Sequence, residues 1–178
     1  MTFSAGSPLV VDASIAVAIS VEEPLADAAD LIVRKRRAGR GPLLVPTFFW
    51  LEVVNVLARR YRLTPPQVLE AIVNLENLGL ESVELDRPQL LLTIDAMARG
   101  GLSAYDAAYL ALAESADAQL LTADRRLAAA AGARAIPLDG GHAVHEEAPA
   151  YATSLTTWPG AAAYLKELRA RIVSQASG

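Results

Sequence analysis

Short, wholly apolar runs alternate with helix-patterned stretches along most of this chain, and no other feature constrains its fold as much. Leu9-Val-Val-Asp12 (preceded by Pro8), Leu43-Leu-Val45 and Gln119-Leu-Leu-Thr122 are too short for buried helices. Runs of this kind read as strands covered on both faces. Glu81-Ser-Val-Glu-Leu85 alternates polar and apolar residues, as an edge or half-covered strand does, and Arg134–Pro137 reads as a last short strand. Helices are expected over Ala13–Ser20, Pro24–Arg37, Phe48–Tyr61, from Thr64-Pro-Pro to Leu78, and over Pro88–Arg99, Ser103–Ser115 and Arg125–Ala131. Thr47 and Thr64 are expected N-caps, Pro24 a first-turn proline, and Gly39, Gly79 and Gly100-Gly101 the stops. Strands separated by helices define an α/β class with a mainly parallel sheet. In such sheets ligands bind outside the carboxyl ends of the strands.

Composition removes several classes of function. The 178 residues suit one domain with a tail, and 53% hydrophobic content is far too apolar for intrinsic disorder. The longest apolar stretches, around Leu9–Val21 and Phe48–Leu57, are interrupted by Asp12 and Glu52, so no membrane span is expected. Met1-Thr-Phe-Ser-Ala-Gly lacks a basic and then apolar leader pattern, and a cytoplasmic chain is expected. Cysteine is absent and the two histidines are His142 and His145, which excludes thiolate chemistry and leaves oxygen as the donor for any metal. The net charge of −4 does not mark a basic nucleic-acid binder, although Arg34, Arg36 and Arg37 form a cluster that is a weak candidate for RNA backbone contact. A basic helix end favoured by the macrodipole explains that cluster equally well.

Four acids stand in apolar settings. Asp12 and Asp124 each end a strand, where N-capping of the next helix competes with a role in a shared crevice. Glu52 interrupts Phe48–Leu57 and shares a helical stripe with Asn55 and Arg59, which is either a solvated face or the lining of a polar site. Asp106 can form a capping box with Ser103, yet it adjoins the small-residue stripe Ala104, Ala107, Ala108 and Ala111, which points to the interior. Carboxylates gathered in one cleft repel one another unless a cation offsets them. With oxygen the only donor, Mg²⁺ or Mn²⁺ suits such a set, and an open oxygen site suits phosphodiester hydrolysis.

The segment from Leu102 to Ala113, followed by Leu120-Leu-Thr-Ala-Asp-Arg-Arg-Leu127, resembles the PIN-domain family, and most of all the VapC-type ribonuclease toxins of toxin–antitoxin pairs. Val10-Val-Asp-Ala-Ser14 and Pro46-Thr-Phe-Phe-Trp-Leu-Glu52 match that family's first two motifs, and the likeness covers roughly residues 8–138. It implies a three-layer PIN-like domain, a central sheet flanked by helices. It further implies metal ligands at Asp12, Glu52, Asp106 and Asp124, with Ser14 and Thr122 as supporting hydroxyls. The implied activity is Mg²⁺- or Mn²⁺-dependent cleavage of RNA by a metal-activated water, without a covalent intermediate. A homodimer and a cognate antitoxin follow from the same resemblance.

Residues 1–140 then suffice for the nuclease domain, and 141–178 are expected to form a C-terminal extension, irregular at first and then an amphipathic helix over 160–175. Three other readings compete. A catalytically idle PIN-like scaffold has little use for mutually repelling carboxylates. A phosphoacceptor domain wants an Asp pair at its first strand and a lysine at a later one, and the chain has neither arrangement. A dinucleotide-binding fold lacks G-x-G-x-x-G after Leu9–Asp12.

Overall fold

A computed structural model describes residues 6–21 and 23–138. The expected irregular segment 142–159 and helix 160–175 lie outside the described residues. Five strands, β1 (Leu9–Val11), β2 (Leu43–Pro46), β3 (Leu80–Val83), β4 (Gln119–Thr122) and β5 (Ala135–Pro137), form one sheet in the order β3-β2-β1-β4-β5. Every pairing is parallel, with Leu9 opposite Leu43 on one side and Gln119 on the other. β1 is the central strand and its three residues are fully buried, which is why the run carries no polar residue before Asp12. β3 lies at an edge, and its polar Glu81 and Ser82 are exposed there.

Seven helices connect the strands among the described residues: α1 (Ala13–Ser20), α2 (Ala26–Ala38), α3 (Phe49–Arg59), α4 (Pro65–Glu76), α5 (Arg87–Gly100), α6 (Ala104–Ser115) and α7 (Arg125–Ala131). Right-handed crossovers put α1–α4 on one face, since β1, β2 and β3 step successively one way. The connections β3 to β4 and β4 to β5 step the other way and put α5–α7 on the opposite face. The helix contacts divide accordingly, α1 with α2, α3 and α4, and α6 with α5 and α7. This is the expected three-layer α/β architecture, with a wholly parallel sheet.

Several expected ends hold and others move. Gln67 Oε1 accepts from both the Thr64 N–H and its hydroxyl, fixing the start of α4. Gly101 at φ +60° closes α5 in a conformation that costs glycine little. Thr47 is not the cap of α3: the capping position is Phe48, and the Thr47 N–H donates to Val83 O, which lengthens the β2–β3 ladder. Pro24 stands upstream of α2 rather than in its first turn, and Arg134 belongs to a 3-10 turn ahead of β5.

α6 is buried over seven consecutive residues, Ala107 to Ala113. Ala107, Ala108 and Ala111 are buried, and with them the helix approaches β1, β2 and β4 closely, whereas Ala104 of the same stripe is exposed. Because α6 runs antiparallel to the strands, its first turn comes to their carboxyl edge. The starts of α1, α3 and α7 reach the same edge, each directly following a strand.

Candidate active site

Asp12 occupies the capping position of α1, yet its side chain makes no capping hydrogen bond. The carboxylate instead takes two hydroxyl donors on one oxygen: Ser14 Oγ at 2.5 Å and Thr122 Oγ1 at 2.7 Å, both to Oδ2. Each hydroxyl is itself braced by backbone, Ser14 accepting from the Ala123 N–H at 3.1 Å and Thr122 from the Asp124 N–H at 2.9 Å. The Oδ1 oxygen takes no hydrogen bond among the described residues. Burial above all raises the Asp12 carboxyl, to about 6 in sum, with the two hydroxyls lowering it and the like charges of Asp106 and Asp124 adding to the rise. Those two acids are therefore electrostatic neighbours of Asp12.

Asp124 does cap its helix. Its Oδ1 accepts from the N–H groups of Arg126 at 2.6 Å and Leu127 at 3.0 Å, and Oδ2 takes no hydrogen bond among the described residues. Asp106 is half-buried in the first turn of α6, where Ser103 Oγ donates to its Oδ2 at 2.8 Å and accepts from its N–H at 3.1 Å. The Ser103 hydroxyl thus caps the Asp106 N–H, and the Asp106 carboxylate turns back onto that same hydroxyl, which is half of the expected capping box.

Glu52, half-buried on the first turn of α3, does not lie on a purely solvated stripe. Its Oε2 accepts from the Tyr109 hydroxyl at 2.7 Å, and Tyr109 is fully buried in α6. Arg59, on the expected stripe, is exposed. Burial holds the Tyr109 phenol well above its ordinary range, with the charges of Glu52 and Asp12 adding to the effect. Tyr109 is thus bonded to one of these acids and feels the charge of the other. Its ring meets Phe48 edge-on at 5.5 Å, and Phe48 meets Tyr105 at 5.3 Å.

Sequence reasoning did not single out Tyr109. The signal was available: a tyrosine within Ala107–Ala113, in a helix turn with no solvated face, needs a partner for its hydroxyl. The arginine cluster, in contrast, is far from the acids. Arg36 donates to Ser7 O at 2.9 Å and to Gln119 Oε1 at 2.5 Å, at the amino ends of β1 and β4. Arg37 donates to Asn77 O, and Arg34 pairs with Asp30 at 2.5 Å on the helix surface. Their bonds are tertiary or intrahelical ones at the opposite edge of the sheet.

The acids at the carboxyl edge can serve a hard cation through oxygen alone. Among the described residues no three acidic side chains are gathered closely enough to hold a metal ion together. Their chemistry nevertheless fits Mg²⁺ or Mn²⁺: a buried carboxylate beside two like charges gains from a cation, and Mg²⁺ is usually held by one or two carboxylates with waters completing its octahedron. Asp12 Oδ1 and Asp124 Oδ2 are the oxygens left for that purpose by the hydrogen bonding.

The PIN domain model matches residues 9–133, the stretch that contains the whole sheet except β5 and all four acids. The chain belongs to the PIN domain family, whose members are generally nucleases that act on nucleic acid with divalent metal ions. The crystal structure of PAE2754 from Pyrobaculum aerophilum is similar to it, with a TM-score of 0.54, 25% sequence identity, and coverage of 74% of this chain and 90% of that one. No curated protein matches the chain. No helix among the described residues is long and apolar enough to cross a membrane.

Proposed function

We propose that this PIN domain is a Mg²⁺- or Mn²⁺-dependent endoribonuclease, the VapC-type toxin of a toxin–antitoxin pair. The observation that carries the reading is Asp12: a buried carboxylate, released from capping, braced on one oxygen by Ser14 and Thr122 and flanked by Asp106 and Asp124. A fold gains nothing in stability from holding repelling acids together in this way.

Asp12, Glu52, Asp106 and Asp124 would hold the cation, which would supply polarisation of the scissile phosphodiester and a lowered pKa for the attacking water. Ser14 and Thr122 fix Asp12 by donating to Oδ2, so that its other oxygen faces the reaction. The Arg126 and Leu127 N–H groups immobilise Asp124 in the same manner. Both hydroxyls have their protons directed at Asp12 and their lone pairs at backbone N–H groups, which makes them supports and not nucleophiles. Cleavage then proceeds without a covalent intermediate.

The toxin assignment rests on the motif resemblance, and with it come a homodimer and a cognate antitoxin; the extension over 141–178, beyond the nuclease domain 1–140, has no counterpart in that resemblance. Incubating the full chain with single-stranded RNA tests the catalytic part. Cleavage with Mn²⁺ or Mg²⁺, none with EDTA, and none for Asp12→Asn is expected; an Asp12→Asn protein that cleaves at the wild-type rate refutes it. Growth arrest on expression, relieved by the same substitution and by a small DNA-binding protein encoded alongside, tests the toxin part.

A further inference from the structure

Tyr109 carries the only hydroxyl in the middle of α6, and its neighbours along the helix, from Ala107 to Ala113, are apolar. A buried hydroxyl costs free energy unless it is bonded, and phenylalanine would fill the same space without that cost. What the hydroxyl adds is specific: it donates to Glu52 Oε2 at 2.7 Å, reaching from α6 on one layer to α3 on the other. The nearby Ala13 N–H partly offsets the rise in the phenol's pKa, and the Asp12 charge adds to that rise. Ala13 directly follows Asp12, so the phenol that is bonded to Glu52 also stands in the neighbourhood of Asp12. Asp106 lies three residues earlier in the same helix, about one turn away. The ring itself is fully buried and set edge-on to Phe48. Glu52 has a flexible side chain and is half-buried; a rigid donor at this position removes its freedom to turn to solvent.

We infer that Tyr109 is the positioning residue for Glu52, its hydroxyl holding that carboxylate in register with Asp12 and Asp106 for a divalent cation. This rests on the reading of Glu52 as a metal ligand. Tyr109 acts through Glu52 and touches neither substrate nor cation. Hydrogen-bond partners that orient ligating groups commonly matter by about 10–100-fold in metal affinity or activity.

The test is a double-substitution cycle on the full chain, with Mn²⁺ affinity measured by calorimetry and folding followed by circular dichroism. Tyr109→Phe removes only the hydroxyl, and its Mn²⁺ affinity is expected to fall by about tenfold. In a Glu52→Gln background, already weakened, the same substitution is expected to change Mn²⁺ affinity no further. Tyr109→Met, which fills the space flexibly and also lacks the hydroxyl, is expected to repeat the pattern should the phenylalanine variant fold poorly. Wild-type Mn²⁺ affinity in folded Tyr109→Phe, or an equal loss in both backgrounds, overturns the inference. A Glu52→Gln protein that binds Mn²⁺ as tightly as wild type overturns the reading of Glu52 beneath it, with Tyr109→Phe then irrelevant to the cation.

Discussion

Thr122 Oγ1 donates to Asp12 Oδ2 at 2.7 Å, joining the carboxyl ends of the neighbouring strands β4 and β1, while it accepts from the Asp124 N–H at 2.9 Å. One hydroxyl therefore couples two of the acids. Thr122 is fully buried, so no water replaces it when it is removed. Thr122→Val keeps the shape, strips a donor from a buried carboxylate and leaves an N–H unpaired. We expect it to cost about 2 kcal/mol in urea denaturation at pH 7. Thr122→Ser, which retains the hydroxyl, is expected to recover most of that loss and of the metal-dependent cleavage.

The raised pKa of Asp12 makes the metal-free protein's stability depend on pH in a definite direction. The folded protein holds a proton up to about pH 6 that the unfolded chain has already released near 3.8. The folded state binds more protons across that window, so the contribution of Asp12 to stability is best below about pH 4 and declines as pH rises to 6. The decline amounts at most to about 3 kcal/mol for a shift of this size. Asp12→Asn has no such proton to lose. Without metal, it is expected to be more stable than wild type at pH 7 and to approach it near pH 4, in denaturation series at both values. Mn²⁺ is expected to stabilise wild type more at pH 7 than at pH 5, because the cation competes with the proton.

Asp124 has two separable duties. Its Oδ1 caps α7, a role that asparagine also performs. Asp124→Asn is thus expected to preserve the melting temperature and lose metal-dependent cleavage. Asp124→Ala is expected to lose cleavage and also about 1 kcal/mol of stability, the ordinary cost of a missing cap. Loss of cleavage in the alanine protein alone would reduce Asp124 to its capping role.

The legible and illegible parts of this protein differ in physical kind. Strands and helices were readable because burial on both faces leaves no room for polar residues in Leu9–Val11, and because glycines and a Thr64/Gln67 box mark ends locally. The acids at the carboxyl edge were readable for the same reason, as polar residues in apolar surroundings. What Asp12 does with its carboxylate was not, because capping and a long-range bond to Thr122 look alike until β1 and β4 are paired. Thr47 was misjudged similarly: its N–H is claimed by Val83 on a neighbouring strand. Tyr109 was missed because its partner, Glu52, is distant in sequence and reaches it from the opposite helical layer.

Arg36 has tertiary partners that its charge pattern alone does not reveal. In sequence it belongs to a basic run suited to phosphate. In the fold its guanidinium clamps Ser7 O and Gln119 Oε1, fastening α2 to the amino ends of β1 and β4, away from the acids. Removing a partly buried donor with two such bonds is expected to cost about 1–2 kcal/mol. Arg36→Ala should therefore lower stability while leaving the salt dependence of RNA binding unchanged, since a residue that neutralises no phosphate releases no counterion. Arg36→Lys should restore little of the stability, because an ammonium cannot reproduce the planar fork that spans both acceptors. A shallower salt slope in the alanine protein, at unchanged melting temperature, would return the residue to the RNA interface.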